Sequence, residues 1–235
     1  SRTARALDEK LASLFSEEQI FRIDHYLAKE ALQNILTFRF SNVLFEPVWS
    51  SAYIDRIEID FHESFGVGSR GAFYEDIGAL RDVGQNHVLQ MLALVALENP
   101  GSYSAEAIRR AREDVLSYVR LAAGSEPEKG QYRSYREEYA VAEDSTTETY
   151  FKLQLAIDTE RWRGVPFILS GGKMLGEDRI EIRVFCKESA TCVCHNEEEL
   201  GTRQNVVRFT MVPTEEIGVT LWAKRHRPFW SLSAR

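Results

Sequence analysis

The chain has 235 residues and a formal net charge of −7; 44% of its residues are hydrophobic and 28% are charged. This length and apolar content suit one large domain, or two small ones, with a sizeable core. The acidic balance argues against nucleic acid and anionic membranes as bulk partners, and no run approaches the roughly 18 apolar residues of a membrane helix. We therefore expect neither a nucleic-acid partner nor a membrane location.

The cysteine content favours a reducing compartment. The three cysteines cannot all pair within one chain, and the first ten residues, SRTARALDEK, contain no apolar signal-peptide core. We therefore expect a cytoplasmic protein. The group Cys186, Cys192, Cys194 and His195 lacks the paired C-x-x-C spacing of common structural zinc sites. Buried or loop thiols are the favoured interpretation, and we expect no metal site.

The first half of the chain is mainly helical in pattern. Leu7, Leu11 and Leu14 recur at helical spacing, whereas the stretch RIEIDF alternates apolar and acidic side chains. Such alternation predicts a half-buried strand, because successive side chains of a strand point to opposite faces. The predicted elements, in chain order, are helices near residues 7–14 and 29–40, a strand over residues 56–61, and helices near residues 72–97 and 104–121.

The last third of the chain is rich in predicted strands. Four sets of apolar residues recur at every second position, which indicates strands with one wet face and favours antiparallel pairing. Because helices come early and strands late, we expect an α+β fold, with helices packed on a large, mainly antiparallel sheet. The four sets are Phe151, Leu153, Leu155 and Ile157; Ile180, Ile182, Val184 and Cys186; Val207, Phe209 and Met211; and Val219, Leu221 and Ala223.

A glycine-rich stretch, GVGSRG, matches the dinucleotide-binding pattern G-x-G-x-x-G at Gly66, Gly68 and Gly71. A true fingerprint lies in a βαβ unit of about thirty residues, and no second strand is predicted in that range. A strand-to-helix turn is therefore favoured over a phosphate cradle, and we expect no Rossmann coenzyme domain in this chain. A self-contained nucleotide-binding module is the weaker alternative.

The stretch FRIDHYLAKE concentrates chemistry in six positions: Asp24, His25, Tyr26 and Lys29 supply an acid, a titratable ring, a phenol and an ammonium. From these residues alone, two interpretations stand. One is a polar helix face, and the other is a site for an anionic, hydroxylated ligand.

Three longer segments decide between these interpretations. RIDHYLAKE resembles the substrate motif of glucose-6-phosphate dehydrogenases, R-I-D-H-Y-L-G-K-E. RDVGQNHVLQML (residues 81–92) resembles the catalytic-histidine helix of that family, and ERWRGVPFILSGGKML (residues 160–175) resembles its segment ending in a substrate-side lysine. These segments occur in the order of the family. GQYRSY and YEDIGALRD also resemble the hexose-6-phosphate dehydrogenase branch.

The resemblance implies a domain assignment for residues 1–235. The chain resembles the C-terminal substrate and dimerisation domain of the family, beginning just beyond the coenzyme domain and lacking its last elements. The implied partners are glucose 6-phosphate and a second copy of the chain, as a homodimer or higher oligomer. The implied cofactor is NADP or NAD, whose site lies mostly in the coenzyme domain; the residues that bind it are unknown from this sequence.

The resemblance also implies a reaction and its residues. The enzyme would oxidise the anomeric hydroxyl of a sugar 6-phosphate to a lactone, in the pentose phosphate pathway, with a histidine of near-neutral pKa as the base. By resemblance, His87 is that base and Asp24 its partner. The substrate-binding residues implied are His25, Tyr26 and Lys29 for the phosphate, Glu63 and Asp82 for sugar hydroxyls, and Lys173.

Two residues depart from the pattern of the family. Ala28 replaces a glycine, which would introduce strain if that position needs a positive φ. Asp178 stands where family members carry a basic residue near the phosphate, and Arg179 is the candidate replacement. Two alternatives stay open: a non-catalytic relative that binds or regulates a full dehydrogenase, and a second nucleotide site near Lys224–Arg227.

Overall fold

A computed structural model describes residues 2–189, 204–224 and 232–234. None of the helices in these ranges is long and apolar enough to span a membrane. The helices are α1 (Arg2–Ala12), α2 (Glu30–Phe40), α3 (Gly71–Ala79), α4 (Leu89–Ala96) and α5 (Ala105–Ser117), with a π-helix (Leu80–Val88) between α3 and α4. Short 3₁₀ helices lie at Glu17–Gln19, His25–Ala28, Glu46–Val48, Gly68–Arg70 and Tyr135–Glu137. The strands are β1 (Ile54–His62), β2 (Val119–Leu121), β3 (Glu128–Gly130), β4 (Tyr150–Ile157), β5 (Phe167–Gly172), β6 (Arg179–Cys186), β7 (Val206–Val212), β8 (Glu216–Thr220), β9 (Trp222–Lys224) and β10 (Leu232–Ala234).

Eight strands form one sheet in the order β2-β4-β5-β1-β6-β7-β8, with β3 also paired to β4. The predicted α+β class and the mainly antiparallel sheet are confirmed. One pair differs from the antiparallel expectation: β1 runs parallel to β5, with His62 opposite Gly172 at their carboxyl ends. Strands β9 and β10 form a separate two-stranded ribbon.

The helices cover one face of the sheet and bury the main core. Ile57 and Ile59 of β1 are completely buried, as are Leu32 and Ile35 of α2 and Met91 of α4. Each such side chain stabilises the fold by roughly 1.5–3 kcal/mol relative to its exposed state. This packing fixes β1 against the helices that carry the predicted site.

The opposite face of the sheet is polar, and ion pairs partly close it. Asp60 is only 6% exposed, although its side chain points away from the core. Arg183 Nη2 lies 2.6 Å from Asp60 Oδ2 and 2.8 Å from Glu58 Oε2, while Arg179 Nη2 lies 3.3 Å from Asp60 Oδ2. The predicted wet face is therefore a charged network rather than a row of solvated side chains.

Two of the predicted helices differ from their predicted extent. The tract from Ala72 to Leu97 is broken at Gly78, whose φ of 73° and ψ of 169° are non-helical, and it continues as a π-helix before α4. The charged helix ends at Ser117, after which Val119–Leu121 joins the sheet as β2. Apolar spacing in sequence does not distinguish a continuous helix from one interrupted at a glycine.

The fourth apolar set is also split. Strand β8 ends at Thr220, Leu221 is 58% exposed, and β9 begins at Trp222. The cysteine group and the alternative nucleotide site cannot be placed as a whole, because residues 190–203 and 225–231 lie outside the described residues. Cys186 is described: it is a partly buried free cysteine, and burial raises the pKa of its thiol.

The glycine-rich stretch packs against protein. A Cβ on Gly71 would clash with the carbonyl oxygen of Tyr139, and one on Gly66 would clash with the carboxylate of Glu138. The phenol of Tyr132 lies against the same stretch, where its oxygen accepts the Val67 backbone N–H at 3.0 Å. These glycines permit a close approach of the loop that follows β3, which supports the turn interpretation.

Candidate active site

Asp24 is held at the start of a short helix. It precedes the 3₁₀ helix His25–Ala28, and its Oδ1 accepts the Tyr26 backbone N–H at 2.9 Å, as a capping residue does. The same oxygen lies 2.8 Å from Nδ1 of His87. Two groups from different elements therefore fix this carboxylate, which is largely buried.

His87 lies in the π-helix with its ring enclosed by other rings. Its ring centroid is 4.5 Å from that of Tyr26, 4.9 Å from that of His25 and 5.8 Å from that of Phe61, the last stacked. An ionised carboxylate only accepts hydrogen bonds, so Asp24 assigns the ring proton to Nδ1. Nε2, for which the described residues provide no hydrogen-bond partner, then carries a free lone pair.

The π-helix arranges Asp82 relative to His87. Residues five apart on an α-helix are separated by about 140° around the axis, whereas the wider turn of a π-helix, with its i to i+5 hydrogen bonds, brings them much nearer to the same side. Asp82 and His87 therefore lie on one side of this segment. Arg70, the last residue of the 3₁₀ helix Gly68–Arg70, holds that carboxylate, with its Nη2 at 3.2 Å from Asp82 Oδ1.

Glu63 and Lys173 meet where two parallel strands end. Each residue immediately follows its strand, and the register of β1 and β5 places their ends side by side. Lys173 Nζ lies 2.7 Å from Glu63 Oε2, and Lys173 is only 4% exposed. The Phe65 ring lies 4.7 Å from the ammonium. The next residue, Met174, has a φ of 55°, which turns the chain sharply after this pair.

The three residues predicted to bind phosphate begin α2 and the 3₁₀ helix before it. Burial, with Glu63 and Asp24 nearby, raises the pKa of Tyr26 to about 12, so its phenol stays a hydrogen-bond donor. Lys29 Nζ is 3.3 Å from Glu215 Oε1, and its side chain is 38% exposed. The carboxylate of Glu215 also accepts the Ala31 backbone N–H, so it is fixed beside Lys29.

These contacts bring most of the predicted residues together, whereas the Lys29 ammonium pairs with Glu215 and not with the other predicted residues. Tyr26 touches the His25 and His87 rings and is in the electrostatic field of Glu63 and Asp24. Tyr74 lies near both Asp82 and Glu63. Burial is the largest cause of its raised pKa, and the charges of Asp82 and Glu63 are the next largest. The sequence reasoning missed Glu215 and Arg70, which hold two of the predicted residues; an isolated charged loop residue carries no signal of its partner.

The structure answers the questions raised by Ala28 and Asp178. Ala28 ends the 3₁₀ helix without a positive φ, so it introduces no strain. Asp178 accepts the Ser64 backbone N–H at 2.6 Å and its hydroxyl at 2.9 Å. Arg179 points to the other face of the sheet, where it pairs with Asp60 and Glu177. The suggestion that Arg179 replaces the missing basic residue is therefore wrong.

One group of side chains in the site has the composition of a metal site. Single donor atoms of Asp24, His25 and His87 lie within 4.8 Å of one another. A hydrogen bond already joins Asp24 to Nδ1 of His87, and we assign this group to an acid–histidine pair rather than to an ion. That the protein binds no metal stays a prediction.

Comparison with known proteins decides the family. The family model described as glucose-6-phosphate dehydrogenase, C-terminal domain, matches residues 36–234. The chain belongs to the glucose-6-phosphate dehydrogenase family. The model of the family's NAD binding domain matches residues 1–34, so the stretch RIDHYLAKE falls within that model, whereas the sequence had suggested a start beyond the coenzyme domain. The hexose-6-phosphate branch finds no support among these matches.

Two curated relatives are 40–42% identical to the chain over the aligned residues. Glucose-6-phosphate 1-dehydrogenase 2 of Mycobacterium tuberculosis (strain H37Rv) is 42% identical over 237 residues, covering 93% of this chain and 45% of the relative. Glucose-6-phosphate 1-dehydrogenase 6, cytoplasmic, of Arabidopsis thaliana is 40% identical over 223 residues, covering 95% and 43%. The chain thus spans less than half the length of these glucose-6-phosphate dehydrogenases.

Solved structures of the family have the same fold. A glucose-6-phosphate dehydrogenase in complex with its substrate glucose 6-phosphate superposes with a TM-score of 0.90 at 34% identity, covering 100% of this chain and 49% of that chain. Glucose-6-phosphate 1-dehydrogenase from Mycobacterium avium gives a TM-score of 0.89 at 34% identity, covering 100% and 52%.

Proposed function

We propose that this chain supplies the substrate site and catalytic base of a glucose-6-phosphate dehydrogenase. The observation that carries the proposal is the 2.8 Å contact between Asp24 and His87, beside the Glu63–Lys173 pair. The reaction would oxidise the anomeric hydroxyl of glucose 6-phosphate to a lactone. The chain covers less than half of its relatives, so the activity belongs to the longer protein that contains such a segment.

His87 is the base in this proposal. Its Nε2 lone pair removes the proton of the anomeric hydroxyl as hydride departs from the same carbon. Asp24 keeps the other nitrogen protonated and stabilises the imidazolium that forms, as the carboxylate does in an acid–histidine–serine triad. The enclosing rings of Tyr26 and Phe61 lower the local dielectric, which strengthens this stabilisation.

The substrate's two ends are bound by different chemistry. His25, Tyr26 and Lys29 supply donors and positive charge for the phosphate, and the phenol is a directional donor because its pKa is raised. Glu63 and Asp82 supply bidentate acceptors for sugar hydroxyls. Lys173 holds Glu63 and offers its remaining ammonium protons to the substrate.

The hydride acceptor is a nicotinamide cofactor, NADP or NAD. The described residues do not fit a dinucleotide: loop residues 138–139 fill the space over Gly66 and Gly71, and residues 2–189 contain no βαβ unit with a phosphate loop. The site therefore lies mostly in the coenzyme domain that the longer relatives carry, and choice between NADP and NAD is a property of that domain. A cytoplasmic location is proposed from the Arabidopsis relatives named cytoplasmic.

Binding of the substrate is the direct test. Calorimetry with glucose 6-phosphate should show binding to the chain, and Lys29→Ala should weaken it roughly tenfold or more, because a charge-assisted hydrogen bond is worth about 1.5–3 kcal/mol. Lys152→Ala, a matched change on the polar face of the sheet, should bind like the wild type. Equal affinities for wild type and Lys29→Ala would contradict the phosphate assignment.

We further propose that two copies of the chain associate through the polar face of the sheet. The support is the charged network of Glu58, Asp60 and Arg183, together with Arg208, which is exposed and lies opposite Arg183 on β7. Arg208→Glu should shift the chain from dimer to monomer in light scattering, whereas Arg110→Glu on α5 should not. A wild-type chain that stays monomeric at high concentration would remove this proposal.

The second candidate function is a non-catalytic relative that binds or regulates a full dehydrogenase. It is favoured only by the replacement of the basic residue by Asp178, which weakens the phosphate end. The intact Asp24–His87 contact speaks against decay of the site. Failure of the wild-type chain to bind glucose 6-phosphate would favour this alternative.

A further inference from the structure

Two buried polar atoms, one in the Asp24–His87 pair and one on a neighbouring helix, lack a hydrogen-bond partner among the described residues. One is Oδ2 of Asp24, and the other is Nε of Arg112. The first is a carboxylate acceptor and the second a guanidinium donor, so their needs are complementary. A buried charged atom without a partner is unfavourable, and buried polar groups without a protein partner usually bond an ordered water.

Arg112 is anchored next to the segment that carries His87. It lies on α5, which packs against α4, and its Nη2 donates a hydrogen bond to Oε1 of Gln90, three residues after His87. Its opposite-charge neighbour is Asp24, whereas Arg109 is a like charge that pairs with Glu17 at 2.9 Å. Gln90 thus holds the guanidinium within the electrostatic field of Asp24.

We propose that Arg112 is a positioning residue for the pair: its Nε–H, through one bridging water, holds Oδ2 of Asp24 and so keeps Oδ1 aimed at His87. The role rests on the function proposed for Asp24 and His87. Oδ1 already receives the Tyr26 N–H and the His87 Nδ1–H. A hold on Oδ2 is the remaining restraint on rotation of the carboxylate.

Substitutions at Arg112 can separate the effect of its charge from the effect of its side-chain volume. Arg112→Lys keeps a cation that can reach the carboxylate, so the alignment should be largely retained. Arg112→Met keeps an apolar stem but no donor, so Oδ2 loses its partner and the carboxylate rotates more freely. Gln90→Leu leaves Arg112 in place but releases its anchor, which should give a smaller effect in the same direction.

The test is proton NMR of the chain itself, without substrate or coenzyme. A ring N–H hydrogen-bonded to a carboxylate gives a far-downfield signal that exchanges slowly with water, and His87 Nδ1–H should give one, assigned by its loss in His87→Asn. This signal reports only the geometry of the Asp24–His87 pair. A negative NMR result would therefore count against the role of Arg112 and not against the proposed enzyme function, which calorimetry and turnover measure.

Arg112→Met should abolish this signal or speed its exchange at least tenfold, while Arg112→Lys retains it. Arg110→Met, on the same helix but solvent-exposed and paired with Glu106, is the matched control and should leave the signal unchanged. Should Arg112→Met fail to fold, Gln90→Leu carries the test. An unchanged signal in the folded Arg112→Met or Gln90→Leu variant overturns the proposal. An equal loss of the signal in Arg110→Met also overturns it, because that result would show a general effect on α5.

Discussion

Each charged residue assigned to substrate binding is already paired in the structure. Lys173 is paired with Glu63, Asp82 with Arg70, and Lys29 with Glu215. Such pairs fix the side chains before the substrate arrives, which limits the entropy lost on binding. They also compete with the substrate, because a bound anion must share or displace the existing partner.

This competition gives a prediction at Lys29. Glu215→Gln keeps an oxygen that can accept the Ala31 N–H but removes the charge that competes with phosphate for the ammonium. Affinity for glucose 6-phosphate should rise roughly two- to fivefold, as expected for a partly exposed ion pair. Calorimetry measures the change, and Glu216→Gln, the next residue, is the control. A weaker affinity in Glu215→Gln would show that Glu215 assists binding rather than competing with it.

His62 gives a prediction about acid stability. Burial lowers the pKa of His62, and the charges of Arg179 and Arg183 add to this against the opposing effect of Asp60. Because the folded pKa lies below the unfolded value of 6.5, the unfolded chain binds the proton first as pH falls. The stability contributed by neutral His62 is therefore present above that pH and is lost below it.

His62→Gln should accordingly reduce the loss of Tm between about pH 7.5 and pH 5.5. Glutamine retains a donor for Ser170, to which His62 is hydrogen-bonded at 2.8 Å, and an acceptor for Arg179, but it does not titrate. Thermal unfolding followed by circular dichroism at both pH values is the measurement. A loss of Tm as large as that of the wild type would mean that other groups account for the acid sensitivity.

At the scale of elements, the break at Gly78 is what separates α3 from the π-helix. The φ of 73° and ψ of 169° belong to a region that is nearly restricted to glycine, and the backbone there is held by the Ala79 N–H bond to the Glu148 carbonyl at 2.9 Å. The break redirects the chain, so that the π-helix presents Asp82 and His87 to the site. A π-helix at this position agrees with the frequent occurrence of such segments at functional sites.

Gly78→Ala should therefore destabilise the chain. The new Cβ would sit 2.6 Å from Oε1 of Glu148 and the backbone would be strained, so a loss of about 1–3 kcal/mol of unfolding free energy is expected. Gly124→Ala is the comparison, because Gly124 also has a positive φ, of 75°, and no atom lies within 4 Å of the position that its Cβ would occupy. Urea denaturation should show a greater loss of unfolding free energy for Gly78→Ala than for Gly124→Ala. Equal losses of unfolding free energy would mean that the Glu148 side chain moves aside freely.

At the scale of the whole molecule, the sequence predicted some features for physical reasons and others only by resemblance. The alternation in RIEIDF predicted β1, because a sheet with one apolar face requires that period. Asp24 and His87 are distant in sequence, and no local pattern indicates their contact. The π-helix, the parallel pairing of β1 with β5 and the role of Arg112 depend on tertiary contacts that periodicity does not encode.

The mechanism proposed for the whole molecule depends on His87, aligned by Asp24, as the base of a glucose-6-phosphate dehydrogenase site. The most direct measurement joins this chain to the coenzyme domain of a family member and compares the turnover of wild type with that of His87→Asn. His62→Asn, the same change at a histidine on the polar face of the sheet, is the control and should leave turnover unchanged.

His87→Asn should lower kcat by roughly 10²–10⁴-fold, the usual loss on removal of a general base. KM should change little, because the imidazole acts mainly as the proton moves. A His87→Asn variant with the turnover of the wild type would contradict the assignment of the base and, with it, the mechanism.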